Sequence, residues 1–316
     1  MGHHKGLHTK VGGEYKFTTY KKVNGELVKS RDLTGWISNL ITDGGLNRMA
    51  DYDDWVKYCH VGSGNTVPAV GNTALVSKIA SSDAISLHRA STVNGSVPYE
   101  SYVIYPYLFG EGVAAGNISE VGVGWVADGS ALYSRALVVD TLGDPTTITV
   151  LSDEYLEVKY KLTHYPDYAD TTGTVIFTGN IGGTYDFIMR IMTVQDDVNF
   201  WSSGIIHEIA NPMRNIQTAY KWFLYYGDIG LISGTPTGQI GTYNAFTYTW
   251  DAYVPGTFEA YGTITIPLAN GNHASGLRSV TFPGGIKYRQ LQFDPPIPKT
   301  SDDIVSIRLY QTWGRV

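Results

Sequence analysis

The stretch "YLEVKYKL", residues 155–162, alternates without a break. Leu156, Val158, Tyr160 and Leu162 fall on one side, Glu157, Lys159 and Lys161 on the other. A period of two belongs to a β-strand, and the split specifies one buried face and one wet face. The same alternation returns in "DIVSIRLYQTW" (303–313), where Val305, Ile307, Leu309 and Trp313 interleave with Ser306, Arg308 and Thr312. In "FEAYGTITI" the residues Phe258, Ala260, Ile264 and Ile266 share a face. Further apolar runs are "YVIYPYLF" (102–109), "ALYSRALVV" (131–139), "YDFIMRIM" and "AYKWFLYY". Short strands with turn signals every ~8–12 residues describe sandwiches or barrels, not parallel α/β units. The expected fold is therefore mainly β: antiparallel β-sandwich or jelly-roll-like domains with one short N-terminal helix.

Composition agrees. Of 316 residues only 16 % are charged, while glycine reaches 36 and tyrosine 23. Soluble domains usually carry roughly 25 % charge. A net charge of −6 speaks against a nucleic-acid partner, which requires a basic stripe. No run approaches the ~18 apolar residues of a membrane span, so no membrane insertion is expected. The lone cysteine, Cys59, sits in "WVKYCHV" among aromatic and β-branched neighbours and reads as a buried, unoxidised small hydrophobe.

Three regions are expected along the chain. Residues 1–30 form an N-terminal arm with a hairpin, turned by Asn24-Gly25. The arm is basic (Lys5, Lys10, Lys16, Lys21, Lys22, Lys29, and Arg31 just beyond) in an acidic chain. Its apolar content, mainly Leu7, Val11, Tyr15 and Phe17, is too small for a core of its own, so it is expected to lie on a neighbouring subunit. Residues 31–165 form a mainly-β domain with one helix, and 166–316 a second β-sandwich whose C-terminal strands return to the first sheet. The boundary falls near "HYPDYADTTG" (164–173). The helix is placed in "DLTGWISNLITDGGLNRMA" (32–50): Ile37, Leu40 and Ile41 at helical spacing, Asp32 or Thr34 as cap, Gly44-Gly45 ending this first segment, and one more turn over Leu46 to Ala50.

The glycine-rich stretch "VGSGNTVPAVGNTALVSKIA" (61–80) invites a phosphate-loop reading, but no Lys-Ser/Thr pair follows its glycines. Val67 also breaks the dinucleotide pattern begun by Gly62 and Gly64. It reads as loop scaffolding, with Asn72 or Thr73 capping a short helix through Leu75, Val76 and Ile79. In "GIIHEIAN", His207-Glu208 lacks the second zinc histidine, because Asn211 stands there. His3, His4 and His8 have no carboxylate or cysteine to complete a metal site, and Asp51, Asp53 and Asp54 lack the rest of a calcium loop. No G-x-S-x-G occurs. The residues therefore nominate no catalytic group, no cofactor and no metal. A carboxylate pair for glycoside hydrolysis is a three-dimensional feature that stays open. The aromatic segment 243–261 (Tyr243, Phe246, Tyr248, Trp250, Tyr253, Tyr261) suits an interface, a core or a stacking platform for sugar rings.

Several segments together resemble a group of tailed-bacteriophage structural proteins, many of them tail or fibre proteins. They are "WISNLITDGGLNRMA", "CHVGSGNTVPAVGNTAL", "GNISEVGVGW", "YSRALVVD" and "PTTITVLSDEYLEVKYKLTHYP", with the ending "FDPPIPKTSDDIVSIRLYQTWGR". The resemblance spans most of residues 30–200 and the C-terminal end, and leaves 200–280 unplaced. It implies a non-enzymatic virion protein of the tail, neck/collar or fibre-attachment region, assembled in the bacterial host cytoplasm. Its partners would be itself, as a symmetric homo-oligomer, and other tail or neck proteins. The alternative is a receptor-binding or polysaccharide-depolymerising tail protein that lays segment 243–261 on a host-surface glycan.

Overall fold

The structure, a computed structural model, describes residues 7–52, 54–86, 89–93, 97, 100–192, 223–241, 247–284 and 287–316. The strand Tyr155–Pro166 lies inside a nine-stranded sheet, between Leu7–Val23 and Glu100–Phe109. Its alternation is used as written: Leu156, Val158, Tyr160 and Leu162 are fully buried, while Glu157, Lys159 and Lys161 stay partly wet. Tyr15, Tyr160 and Tyr105 stand side by side across the three strands, and the first two rings are 4.8 Å apart. Tyrosine suits this layer because its ring fills the core while its hydroxyl bridges to the next layer. The Tyr15 hydroxyl meets Ser134 Oγ at 2.7 Å, and Tyr107 donates to the Val56 carbonyl.

That next layer is a five-stranded antiparallel sheet. Its order is Leu40–Ile41, Leu132–Leu137, Glu120–Gly124, Tyr58–Gly62, Lys78–Ser82. Cys59, Val61, Val121 and Val123 turn toward the tyrosine layer and are fully buried. After the turn at 167–170 the chain builds a six-stranded sheet in the order Thr171–Phe177, Gly183–Ile191, Lys287–Ile297, Leu277–Gly284, Phe223–Tyr225, Gln239–Gly241. Phe282, Leu291 and Phe293 of that sheet form a second core with Ile264, Ile266, Val305 and Ile307 of the large one. Both cores use the same face of the nine-stranded sheet. Its other face is the outward one.

Three strands late in the sequence complete the large sheet, Thr247–Trp250 pairing with the first of the two that follow. Glu259–Ile266 pairs antiparallel with Val305–Arg315, which lies parallel to Leu7–Val23 from Leu7↔Gln311 to Val11↔Arg315. The first strand is thus no detached arm on a neighbour. Val11, Tyr15 and Phe17 are buried in the chain's own core, because strands distant in sequence supply the apolar surface that residues 1–30 lack. The hairpin itself turns at Asn24 and Gly25 with φ of 52° and 89°, as a tight primed turn requires.

The helix is shorter and later than its periodicity suggested. Ile37–Ser38 and Leu40–Ile41 are short strands, and the helix runs Asp43–Arg48. Thr42 caps it by accepting from the Gly45 N–H at 2.8 Å. Gly44-Gly45 opens this helix instead of closing an earlier one. A Cβ on Gly45 would run into the Tyr133 carbonyl oxygen, so close approach to the neighbouring strand requires glycine here. Where the spacing predicts a short helix from Asn72 or Thr73 through Leu75, Val76 and Ile79, residues 72–77 are loop and Ile79 lies in the strand Lys78–Ser82. Among the described residues no helix is long and apolar enough to cross a membrane.

Candidate functional site

The glycine stretch crosses the outer surface of the five-stranded sheet and wraps a carboxylate belonging to the protein. Glu120, fully buried, accepts from the N–H groups of Gly64 at 2.9 Å, Val76 at 3.1 Å and Ser77 at 2.7 Å. Arg135 adds Nε at 3.0 Å and Nη2 at 2.7 Å, and its Nη1 reaches Asn72 Oδ1 at 3.1 Å. A Cβ on Gly62 or Gly64 would collide with the Glu120 side chain, so both glycines let the backbone close on it. Burial pushes the Glu120 carboxyl up, but the Ser77 and Val76 N–H groups and Arg135 together outweigh it and hold the group below its ordinary value. The loop is an anion cradle, and the anion it holds is internal.

The aromatic segment is divided. Tyr243 and Phe246 lie outside the described residues, as do His3, His4, Asp53 and the His207–Asn211 stretch. Tyr248 is part of the strand Thr247–Trp250. Trp250 and Tyr253 pack onto the main core, and the Tyr253 hydroxyl donates to Asn47 Oδ1 at 2.7 Å with its ring 5.6 Å from Trp313. Tyr261 points the opposite way, to the outward face, where its ring lies 4.8 Å from Tyr310 and under the Arg308 guanidinium. Trp250 and Tyr253 on the core side and Tyr261 on the outward face therefore do not share one groove. His8 donates or accepts at Thr312 Oγ1, 2.7 Å away, and among the described residues no three His, Cys, Asp or Glu side chains gather to hold a metal ion.

The outward face of the large sheet carries a lattice of charge and phenol. Lys161 meets Glu14 at 3.2 Å, Lys159 meets Glu157 at 3.1 Å, and the Tyr310 hydroxyl donates to Glu259 at 2.7 Å. Arg308 pairs with Asp251. Tyr20 donates to Glu157 at 3.1 Å, and burial together with that carboxylate pushes its phenol up to about 12. Trp36, 41 % exposed, stands over the same face beside Tyr20 and was hidden in a segment that reads as helix. The available signal was the Glu157/Lys159/Lys161 half of the alternating strand, which marks this face as polar but not empty.

Beyond this face, the last residues of Leu7–Val23, paired from Thr18 onward with Glu26–Asp32, form a hairpin with an exposed tip. Every residue of Glu26–Asp32 is exposed, and Val23, Leu27 and Val28 are 50 %, 44 % and 48 % exposed. The ribbon is fixed at its base. Glu154, 1 % exposed, accepts from Arg31 Nη2 at 2.9 Å, Thr19 Oγ1 at 3.1 Å and Ser30 Oγ at 3.2 Å. Burial pushes the Glu154 carboxyl up, but Arg31 and the other donors overcome that and bring it down to about 2. Lys21 adds an ion pair to Asp153 at 2.8 Å. Compared with protein-family models, curated proteins and solved structures, the chain matches none.

Proposed function

We propose that this chain is a non-enzymatic structural protein of a tailed-bacteriophage particle, in its tail, neck/collar or fibre-attachment region. It acts by forming a symmetric oligomer and docking on other virion proteins. The segment resemblance supplies the particle. The exposed hairpin tip is the observation that carries the docking role. A two-stranded ribbon has no core of its own. Here its base is clamped by a buried carboxylate, while its tip keeps three aliphatic side chains in water. A rigid ribbon with a wet apolar tip suits insertion into a neighbouring subunit. The glycine loop supports the non-enzymatic half of the reading, since its N–H groups are already committed to Glu120.

The test is a triple variant, Val23→Ser, Leu27→Ser and Val28→Ser, assayed by light scattering and by incorporation into particles. Exposed substitutions of this kind cost within about 0.5 kcal/mol each, so the body stays folded. Loss of oligomer and of incorporation is the expected result. A triple variant that assembles at wild-type level overturns the docking role, and absence of the wild-type chain from purified particles overturns the whole reading.

A further inference from the structure

On its outward face, the large sheet holds a hollow of about 480 Å³ lined in part by Lys16, Tyr20, Trp36, Pro106, Glu157 and Lys159. Its floor is set by strand register. Lys16 stands directly opposite Lys159, and Lys159 directly opposite Pro106 on the third strand. Like charges placed opposite each other across a strand pair repel, so the sheet keeps this arrangement at a cost. Neutralisation from within is incomplete. Among the described residues, the anion within ion-pair reach of Lys16 is Asp32 at 3.9 Å, which Lys29 already holds at 2.6 Å and Thr18 at 2.9 Å. Lys159 shares Glu157 with the Tyr20 hydroxyl. The hollow itself thus contains two ammonium groups and one carboxylate, beside an indole left wet.

We propose that this hollow binds an acidic sugar residue, a pyranose carrying a carboxylate. The carboxylate would answer the Lys16–Lys159 pair, and the flat C–H face of the ring would cover Trp36. The ring hydroxyls would meet the Tyr20 hydroxyl and Glu157. A hollow of this volume is of the size that takes small ligands, with apolar wall and few convergent polar groups. An acidic peptide side chain would satisfy the lysines but leave the indole uncovered, so the combination favours the sugar. The inference uses only this face and does not depend on the virion role or on segment 243–261.

Calorimetric titration of the full chain tests it with three probes: a hexasaccharide of alternating glucuronic acid and N-acetylglucosamine, neutral maltohexaose, and hexaglutamate. The acidic hexasaccharide is expected to bind saturably, maltohexaose not at all, and hexaglutamate at least tenfold more weakly. Trp36→Ala and the pair Lys16→Gln with Lys159→Gln should each weaken the acidic sugar at least tenfold. All three side chains are partly exposed, and unchanged thermal melting identifies variants that keep the fold. No saturable binding of the acidic hexasaccharide, equal binding of hexaglutamate, or binding that survives either variant overturns the proposal.

Discussion

Arg135 and Glu120 meet wholly inside the protein: Nη2 lies 2.7 Å from Oε2, with side chains 1 % and 0 % exposed. A pair so placed gains its stability only when every remaining valence is satisfied. Here the loop supplies the missing partners, three backbone N–H groups and Asn72. The ion pair and the loop therefore stand or fall together.

Glu120→Gln removes the charge and leaves the Arg135 guanidinium buried without its counter-ion. The expected loss is about 3–5 kcal/mol in denaturant unfolding. Glu120→Gln combined with Arg135→Met should cost less than Glu120→Gln alone, because no uncompensated charge remains. A single variant within about 0.5 kcal/mol of wild type refutes this account of the loop.

Two buried imidazoles make the fold sensitive to mild acid. Burial lowers His164 to about 3 and His60 to about 4, and among the described residues neither His164 ring nitrogen nor His60 Nε2 has a hydrogen-bond partner. In the unfolded chain both titrate near the ordinary 6.5. Their contribution is therefore complete above about pH 6.5 and falls as pH drops toward the folded values, by up to about 1.4 kcal/mol per pH unit for each ring. Stability followed from pH 6.5 to 4.5 should decline less steeply in His164→Phe than in wild type. Equal slopes would show that the ring is not held neutral.

Cys59 lies at 0 % exposure with its thiol pushed well up by burial. Thiol reagents act on exposed thiolate, so labelling at pH 8 should proceed only as fast as the protein opens. The labelling rate should rise in parallel with the unfolded fraction on adding urea. Rapid labelling in buffer alone would remove Cys59 from the core.

Legibility followed the range of the interactions involved. The alternation at 155–162 and the Asn24-Gly25 turn are short-range patterns, and both are used in the structure as they read. Ile37, Leu40 and Ile41 were misleading because three apolar positions fit either period when the segment is short. What decides between them is pairing with strands distant in sequence, Ile37 opposite Tyr15 and Ile41 opposite Ser134. The first strand misleads for a similar reason: Tyr15 looks under-supplied with apolar company until Tyr160 and Tyr105 are set beside it. Glu120 carries no motif at all, since its partners come from the 61–80 loop and from Arg135, each on a different segment from Glu120. Trp36 gave no sign of its surroundings, which only the register of Lys16 against Lys159 creates.

The parallel pairing of Leu7–Val11 with Gln311–Arg315 also bears on how the chain is made. On a ribosome Leu7–Val23 emerges long before Val305–Arg315, the strand that seals this edge. Contacts at such separation slow folding, and an unpaired strand edge is a template for the wrong partner. A nascent chain cut short before Val305 would keep Leu7–Val23 open in the middle of its largest sheet. Synthesis of Val305–Arg315 thus acts as a closing step for this sheet, and products truncated before it should be insoluble rather than merely shortened.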